Sequence, residues 1–119
     1  MDMKDLKDLY ERQIELQKKI GSRIDLPLTK EEREHWTKEN VLAIHAELTE
    51  LLDWTNWKSW KKTKVEYTPT RILELQMEII DILHFWLNLC IIWGMTPDKI
   101  VEIYNKKNKI NHERQDSGY

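Results

Sequence analysis

Two pairs of acidic residues are spaced one helical turn apart in this chain, Glu47 with Glu50 and Glu78 with Asp81. A spacing of three residues places both carboxylates of a pair on one side of an α-helix. Long helices joined by a loop pack antiparallel, so the two pairs can face each other across one seam. Carboxylates that converge in this way repel one another unless cations lie between them. The spacing therefore predicts a metal site shared by two helices.

The oxygen ligands narrow the kind of metal. Mg²⁺ is held by a few carboxylates together with waters and substrate phosphates, whereas di-iron and di-manganese carboxylate bundles use Glu-x-x-His pairs. His84 follows Glu78 by six residues, so it forms no such pair. The sequence also lacks zinc-ligand spacing, a nucleophile with a neighbouring histidine, and a glycine-rich phosphate loop. We therefore expect Mg²⁺ and a substrate that carries phosphates.

Two long helices must hold the acidic pairs, and the sequence marks where each begins. Thr29 with Glu32 forms a capping-box pattern, which starts one helix near residue 30. Either Thr68 followed by Pro69, or Thr70 just after them, starts the other, and Gly94 ends it. Each acidic pair therefore lies within a helix rather than at its end.

Shorter patterns flank these two helices. Apolar periodicity predicts a helix from residue 2 to Ile20, in which the pattern alone makes Gln17 a surface amide. It also predicts a helix that begins after Thr96 and whose apolar pattern ends at Tyr104. The hydrophilic tail, residues 106–119, is expected to fray from its composition alone. The chain is thus predicted to be all-α, a single four-helix-bundle-like domain over residues 1–119.

The helix over residues 71–93 is mostly apolar but carries a polar stripe. Glu78, Asp81, Phe85 and Asn88 fall on one side at the helical period, among isoleucines and leucines. Ionised groups are rarely buried without a partner, because removing each from water costs several kcal/mol. The stripe is therefore predicted to be one wall of a site.

Composition limits the partners of the chain. Charged residues make up 34% of 119 residues with a net charge of −2, so no overall basic field favours nucleic acid or an anionic membrane. Cys90 is the single cysteine, which excludes a disulfide framework and favours the cytoplasm. The apolar run from Leu75 to Trp93 approaches membrane-spanning length, yet polar side chains interrupt it. We expect a soluble protein.

The segment between the two long helices, residues 53–67, combines aromatic and basic side chains. Three interpretations stay open: binding of nucleic-acid bases and backbone, closure over one nucleoside triphosphate, or aromatic packing on the core with solvated lysines. The side chains concerned are Trp54, Trp57, Trp60, Lys58, Lys61, Lys62 and Lys64.

The acidic pairs resemble the E-x-x-E…E-x-x-D signature of the all-α nucleoside triphosphate pyrophosphatases, which include the MazG-like enzymes and the dimeric dUTPases. Further blocks resemble the dimeric dUTPase family in particular, and they span nearly the whole of a chain as short as the compact bacterial or phage forms. These blocks are Leu16-Gln17, the run from Asn56 to Lys61, Asp81 with His84-Phe85, and the tail residues Tyr104, Lys107, Asn108, Asn111, Arg114, Gln115, Gly118 and Tyr119.

The resemblance implies a dUTP diphosphatase that hydrolyses dUTP to dUMP and pyrophosphate with two or more Mg²⁺ ions, for which Mn²⁺ can substitute. We expect a homodimer, because the apolar surplus of the chain can be buried between two subunits. The resemblance also implies that Glu47, Glu50, Glu78 and Asp81 are the catalytic metal ligands, with Glu47 activating the attacking water. It assigns the base and sugar to Gln17, Trp60, His84, Phe85 and Asn88, the phosphates to Lys58, Lys61, Lys107, Asn108, Asn111 and Arg114, and closure of the site to the tail with Tyr119.

Two alternatives accompany this interpretation. Within the same fold, the substrate could be dCTP or a broader set of nucleoside triphosphates, because spacing cannot orient the amides that choose the base. In a different class, the chain could be a non-catalytic helical interaction module that binds through its tryptophan- and lysine-containing loop. The acidic residues distinguish the two classes, since a binding module does not need them on facing helices.

Overall fold

The computed structural model describes residues 5–118, and within them the chain is entirely helical and loop. The four helices are α1 (Leu6–Ile20), α2 (Lys30–Asp53), α3 (Pro69–Ile92) and α4 (Pro97–Asp116). The helices α2 and α3 pack along each other at the centre, α1 packs on α3, and α4 packs on α1. The predicted all-α class is confirmed.

Side-chain caps begin every helix. Asp5, Thr29, Thr68 and Thr96 each accept a hydrogen bond from a backbone N–H three residues on. At Thr29 the capping box with Glu32 is complete. The starts predicted for α2, α3 and α4 are therefore confirmed, because a cap satisfies backbone donors that have no partner inside the helix.

The two terminal helices differ from their predicted extents. The first helix begins at Leu6, because Asp5 caps it; residues 1–4 lie outside the described part of the chain. The last helix does not end near Tyr104 but continues to Asp116. Its second half is polar and has no glycine or proline, and residues such as lysine, glutamate and arginine favour helix even where no core pattern exists. The tail is thus helical as far as Asp116.

Antiparallel packing of α2 against α3 is visible at both ends of the pair. The Arg71 side chain at the start of α3 donates to the Trp54 carbonyl at the end of α2 over 2.9 Å. At the opposite end, Trp93 Nε1 donates to Thr37 Oγ1, also over 2.9 Å. This antiparallel arrangement sets the second half of α2 against the first half of α3, where the acidic pairs lie.

The buried core occupies one end of the molecule. Ile24, Ile91 and Ile92 form its centre, joined by half-buried side chains from α1, α2 and the linker after α1. Cys90, which precedes Ile91 in the sequence, is buried as well. The first half of α3 has no such cover, and Leu73 remains 55% exposed and Met77 54% exposed. An apolar face of α3 therefore lies open in the single chain.

Within residues 5–118, α3 is the one helix long and apolar enough to cross a membrane by length and composition. The core helix of a soluble protein meets the same criteria. A soluble chain without a membrane partner therefore stays a prediction.

Candidate active site

Three carboxylates meet between α2 and α3. Glu47 and Glu50 of α2 and Glu78 of α3 each place one oxygen within 4.8 Å of the others. The three-residue spacing on α2 turns both of its acids towards α3, and antiparallel packing brings Glu78 opposite them. The structure thus assembles three of the four predicted ligands into one cluster.

This cluster lacks hydrogen-bond donors. Glu47 Oε2 and Glu78 Oε2 are buried, and no donor from residues 5–118 reaches either atom. The pKa of Glu47 is raised to about 7 by a hydrogen bond to Glu78 that forms when Glu47 is protonated, by partial burial, and by the charges of Glu50, Glu78 and Asp81. Buried oxygen atoms without donors, in a set made only of carboxylates, suit a hard divalent cation. The residues present therefore fit the Mg²⁺ that the sequence predicts.

Asp81 lies beside the three-carboxylate cluster. It is exposed, and its position on α3 is rotated by about 60° from that of Glu78. Its charge still contributes to the raised pKa of Glu47, and it borders the same cleft as Glu47. Asp81 can therefore join a metal site from its rim, and its role as a ligand stays a prediction.

A cleft of about 330 Å³ extends from Glu47 and Asp81 along α1 and α3. Gln17 is 9% exposed, so the side chain that reads as a surface amide from its pattern is instead part of this cleft. The cleft brings together four of the residues predicted to bind the base and sugar, together with Gln13. These four residues are Gln17, His84, Phe85 and Asn88.

Three buried amides connect the cleft to α2. Gln13 Nε2 donates to Asn88 Oδ1 over 2.7 Å, and Asn88 Nδ2 donates to Asn40 Oδ1 over 2.9 Å. Asn40 Nδ2 then donates to the carbonyl oxygen of Trp36 over 2.8 Å. Sequence reasoning missed Gln13 and Asn40. The signal for Gln13 was its helical spacing, because it lies one turn before Gln17.

The ring of His84 is also oriented. Its Nδ1 lies 3.0 Å from the carbonyl oxygen of Ile80. Because a carbonyl only accepts, Nδ1 carries the hydrogen, and in the neutral imidazole Nε2 is left as an acceptor. The cleft therefore has an imidazole acceptor on the α3 wall beside Phe85.

Arg71 is a further site residue that sequence reasoning missed. Its guanidinium donates to the Trp54 carbonyl over 2.9 Å and to the Asp53 carbonyl over 3.3 Å, and it lies over the Trp54 ring at 5.1 Å. It lines a second cleft together with Glu50 and Glu78. The available signal was its position seven residues before Glu78, two turns away on the same face.

The loop between α2 and α3 forms a cationic cavity of about 140 Å³. Lys58 and Lys61, both predicted to hold phosphates, line it together with Lys64 and Arg71. The cavity and the Glu50–Glu78 cleft share Asp53 and Arg71, so the two are adjacent. Amide cleft, acidic cluster and cationic cavity thus follow one another along the α2–α3 pair.

The Asn56 side chain ties the two ends of this loop together. Asn56 donates from Nδ2 to the Val65 carbonyl over 2.8 Å and accepts from the Val65 N–H over 2.9 Å. Trp60, predicted to contact the substrate, is 68% exposed and does not line the cavity, but it makes an edge contact with Trp57, which does.

The remaining predicted phosphate contacts lie on α4. All four are exposed, and none of them lines the two clefts or the cationic cavity described above. Because α4 packs on α1, a single chain does not bring these side chains to the acidic cluster. They are Lys107, Asn108, Asn111 and Arg114. Tyr119 lies outside the described residues, and the roles of all five stay predictions.

An all-α fold with carboxylates on two facing helices is the arrangement that the resemblance to the MazG-like nucleoside triphosphate pyrophosphatases predicts. A sequence profile of the dUTPase family matches residues 5–95 and 86–119, and the chain belongs to this family.

Curated relatives resemble one part of the chain. A dCTP pyrophosphatase of Enterobacteria phage T4 is 46% identical over 54 residues, which are 45% of this chain and 32% of that protein. A dCTP pyrophosphatase of Enterobacteria phage LZ5 is 41% identical over 54 residues, 45% of this chain and 31% of that protein. The match thus spans about a third of the length of these relatives. No solved structure matches the chain.

Proposed function

We propose that this chain hydrolyses a pyrimidine deoxynucleoside triphosphate to the monophosphate and pyrophosphate, with dCTP preferred and dUTP as the second candidate. The observation that carries the proposal is the cluster of Glu47, Glu50 and Glu78, with two buried oxygens that no donor reaches within residues 5–118. On one side of this cluster lies a cleft with amides and an aromatic ring, and on the other a cavity with lysines. The cleft suits a nucleobase, and the cavity suits a phosphate chain.

The acidic cluster would hold Mg²⁺, with two or more ions and with Mn²⁺ able to substitute. Glu47, Glu50 and Glu78 supply oxygens, and Asp81 stands at the rim of the same site. When bound, such cations offset the charge of the phosphates and make a coordinated water more acidic. Glu47 is the carboxylate that we propose accepts the proton of that water.

The other side chains bind and orient the substrate. Phe85 offers a flat apolar surface to the base, and the neighbouring amides offer hydrogen bonds to its edge. Lys58 and Lys61 hold the phosphates, and Arg71 fixes the end of α2 next to them. Water attacks phosphorus and forms a new P–O bond, the α–β anhydride bond breaks, the water proton passes to Glu47, and pyrophosphate leaves.

The proposed preference for cytosine rests on the curated relatives rather than on the resemblance to the dimeric dUTPases. The resemblance favoured dUTP, and the family is described as dUTPase. Both curated relatives, however, are named dCTP pyrophosphatase and are 41–46% identical to this chain where they match. We therefore propose dCTP first, which was the alternative of the sequence-based prediction.

The surface of the single chain supports a homodimer. Its radius of gyration is 17.8 Å, against about 13.5 Å for a compact domain of this length. Its accessible surface is 9242 Å², against about 6,900 Å² for a folded monomer of this mass. The difference, roughly 2,300 Å² per chain, is in the range that obligate dimers bury. We propose that a second copy covers the open apolar face of α3, and that the dimer acts in the cytoplasm.

The loop geometry favours the enzyme over the interaction module. Lys58 and Lys61 face a cavity that adjoins the acidic cleft, rather than an open groove along which a strand could run. Asn56 holds this loop in place through Val65. The lysines are therefore positioned for a short phosphate chain.

Pyrophosphate release tests the proposal. With Mg²⁺ present, we expect release from dCTP and dUTP to exceed that from dATP, and chelation of the metal to abolish it. Glu78→Gln should lower turnover by about 100-fold or more, because the cluster loses a charge at similar volume. The matched control is Glu74→Gln, an exposed acid one turn earlier on α3, which should leave turnover unchanged. Full activity of Glu78→Gln would remove the cluster from the mechanism.

A further inference from the structure

The hydrogen-bond chain through Gln13, Asn88 and Asn40 has a direction. It ends on the backbone carbonyl of Trp36, which can only accept, so Asn40 must turn its NH₂ group towards Trp36. Its Oδ1 is then the atom that faces Asn88, which turns the NH₂ group of Asn88 towards Asn40. The same step repeats at Gln13, whose NH₂ group faces Asn88 Oδ1. One backbone atom thus orients three amides.

This direction leaves an acceptor atom, Gln13 Oε1, at the end of the hydrogen-bond chain that is opposite to Trp36. Gln13 is 2% exposed, Asn88 3% and Asn40 7%, so all three amides are removed from solvent. Gln13 lines the cleft, and within residues 5–118 no hydrogen bond reaches its Oε1. Oε1 itself is open to the cleft rather than sealed from it, so a ligand donor can reach this atom. Gln13 Oε1 is therefore a ready acceptor on the wall of the cleft.

This acceptor lies at the end of the cleft that suits a base. Asn88, its neighbour, follows Glu78 by ten residues, which is about 15 Å along the axis of α3. His84, one turn before Asn88, offers Nε2 as a second acceptor from α3, whereas Gln13 reaches the same cleft from α1. Two acceptors suit an exocyclic amino group, which has two hydrogens to donate. A carbonyl oxygen in the same place has none and would be repelled.

We propose that Asn40 is a positioning residue that sets the preference of this site for an amino-bearing pyrimidine over its oxo counterpart, cytosine over uracil. It acts without touching the substrate, by holding Asn88 and hence Gln13 in the orientation that presents Oε1. The inference rests on the proposed function, because it concerns the base of the nucleotide that is hydrolysed. Without Asn40, the Asn88 and Gln13 amides can turn together and present either NH₂ or oxygen.

The test is the ratio of kcat/KM for dCTP to kcat/KM for dUTP. Asn40→Ala should lower this ratio by about tenfold, which is the value of one well-placed hydrogen bond. Asn40→Asp should retain most of it, since its carboxyl group still accepts from Asn88. The matched control is Thr37→Ala, which removes another hydrogen bond between α2 and α3, from Trp93 Nε1, without touching the amide chain. Its ratio should equal that of the wild type.

Thermal unfolding shows whether each variant is folded. Should Asn40→Ala not fold, Asn40→Val keeps more volume, cannot orient Asn88, and is measured in the same way. An unchanged ratio in a folded variant overturns the inference, as does an equal loss in Thr37→Ala. Dissociation constants for dCTP and dUTP, from calorimetry, provide the same ratio independently of turnover. A chain that binds but does not cleave would therefore contradict the proposed function while the role of Asn40 is still decided.

Discussion

Glu47 and Glu78 face each other from antiparallel helices, and each has a buried carboxylate oxygen that no donor within residues 5–118 contacts. When Glu47 is protonated it can donate to Glu78, and this is the largest cause of its raised pKa. Above that pKa the two carboxylates are both charged and repel each other. The pair is therefore stabilised by a shared proton at low pH, or by a bound cation at higher pH.

The stability of the metal-free protein should depend on pH for this reason. The pKa of Glu47 is raised from its ordinary value of 4.5 to about 7 in the folded chain, so the folded state holds this proton more tightly than the unfolded state. The resulting stabilisation is fully present below 4.5 and is lost as the pH rises through 7. With chelator present, the melting temperature should therefore fall between about pH 5 and about pH 8.

Mg²⁺ should reverse this loss at the higher pH, because it replaces the proton between the carboxylates. Glu47→Gln should remove most of both the pH dependence and the Mg²⁺ effect, whereas Glu74→Gln should keep them. Identical pH profiles for wild type and Glu47→Gln would rule out this origin of the pH dependence.

Arg71→Lys should lower both stability and turnover. Lysine cannot form the two hydrogen bonds to Asp53 and Trp54 or lie flat over the Trp54 ring, so we expect a loss of about 1–2 kcal/mol in unfolding free energy. Turnover should fall as well, since Arg71 borders the acidic cleft. Arg33→Lys is the matched control, because Arg33 also lies over a tryptophan, Trp93, at 5.2 Å. Equal losses of turnover in both variants would contradict a specific role for Arg71.

Asn56→Ala should weaken substrate binding more than it slows chemistry. The two hydrogen bonds to Val65 hold the loop, so their loss should raise KM by about fivefold to tenfold while kcat changes little. Steady-state kinetics measures this split. Ser59→Ala in the same loop is the control, because its side chain makes no hydrogen bond within the described residues. A fall in kcat alone would mean that the loop does not act through binding.

Met77→Glu should separate the proposed dimer. It places a charge on the open apolar face of α3, where Met77 is 54% exposed in the single chain. Light scattering should show a dimer for the wild type and a monomer for the variant, with Lys38→Glu on α2 as control. The wild type should also melt at a lower temperature on dilution from about 100 µM to about 1 µM. A wild-type monomer would remove the dimer from the proposal.

Local signals in the sequence were enough to predict much of the fold. Thr29, Thr68 and Thr96 start helices because a hydroxyl satisfies nearby backbone donors, and such caps are readable from a few residues. The acidic cluster was also predictable, since helical spacing and antiparallel packing together place Glu47 opposite Glu78.

The rest of the site depends on contacts between distant parts of the chain. Gln13 and Asn88 are 75 residues apart, and Asn88 and Asn40 are 48 apart, so no local pattern could pair them. The role of Arg71 likewise depends on backbone carbonyls of another helix. For α4, composition described a polar tail correctly, but whether it frays or stays helical depends on propensity over its whole length.

The carbonyl of Trp36 has a further consequence for how this site can evolve. Because it is a backbone atom within a helix, no substitution of the Trp36 side chain removes it. The orientation of the amides depends instead on residue 40, which accepts from Asn88. A residue there that donates to Asn88 would turn both outer amides at once. We therefore expect the base preference of such a chain to be reversible in one mutational step, with the carboxylates and the lysine loop unchanged.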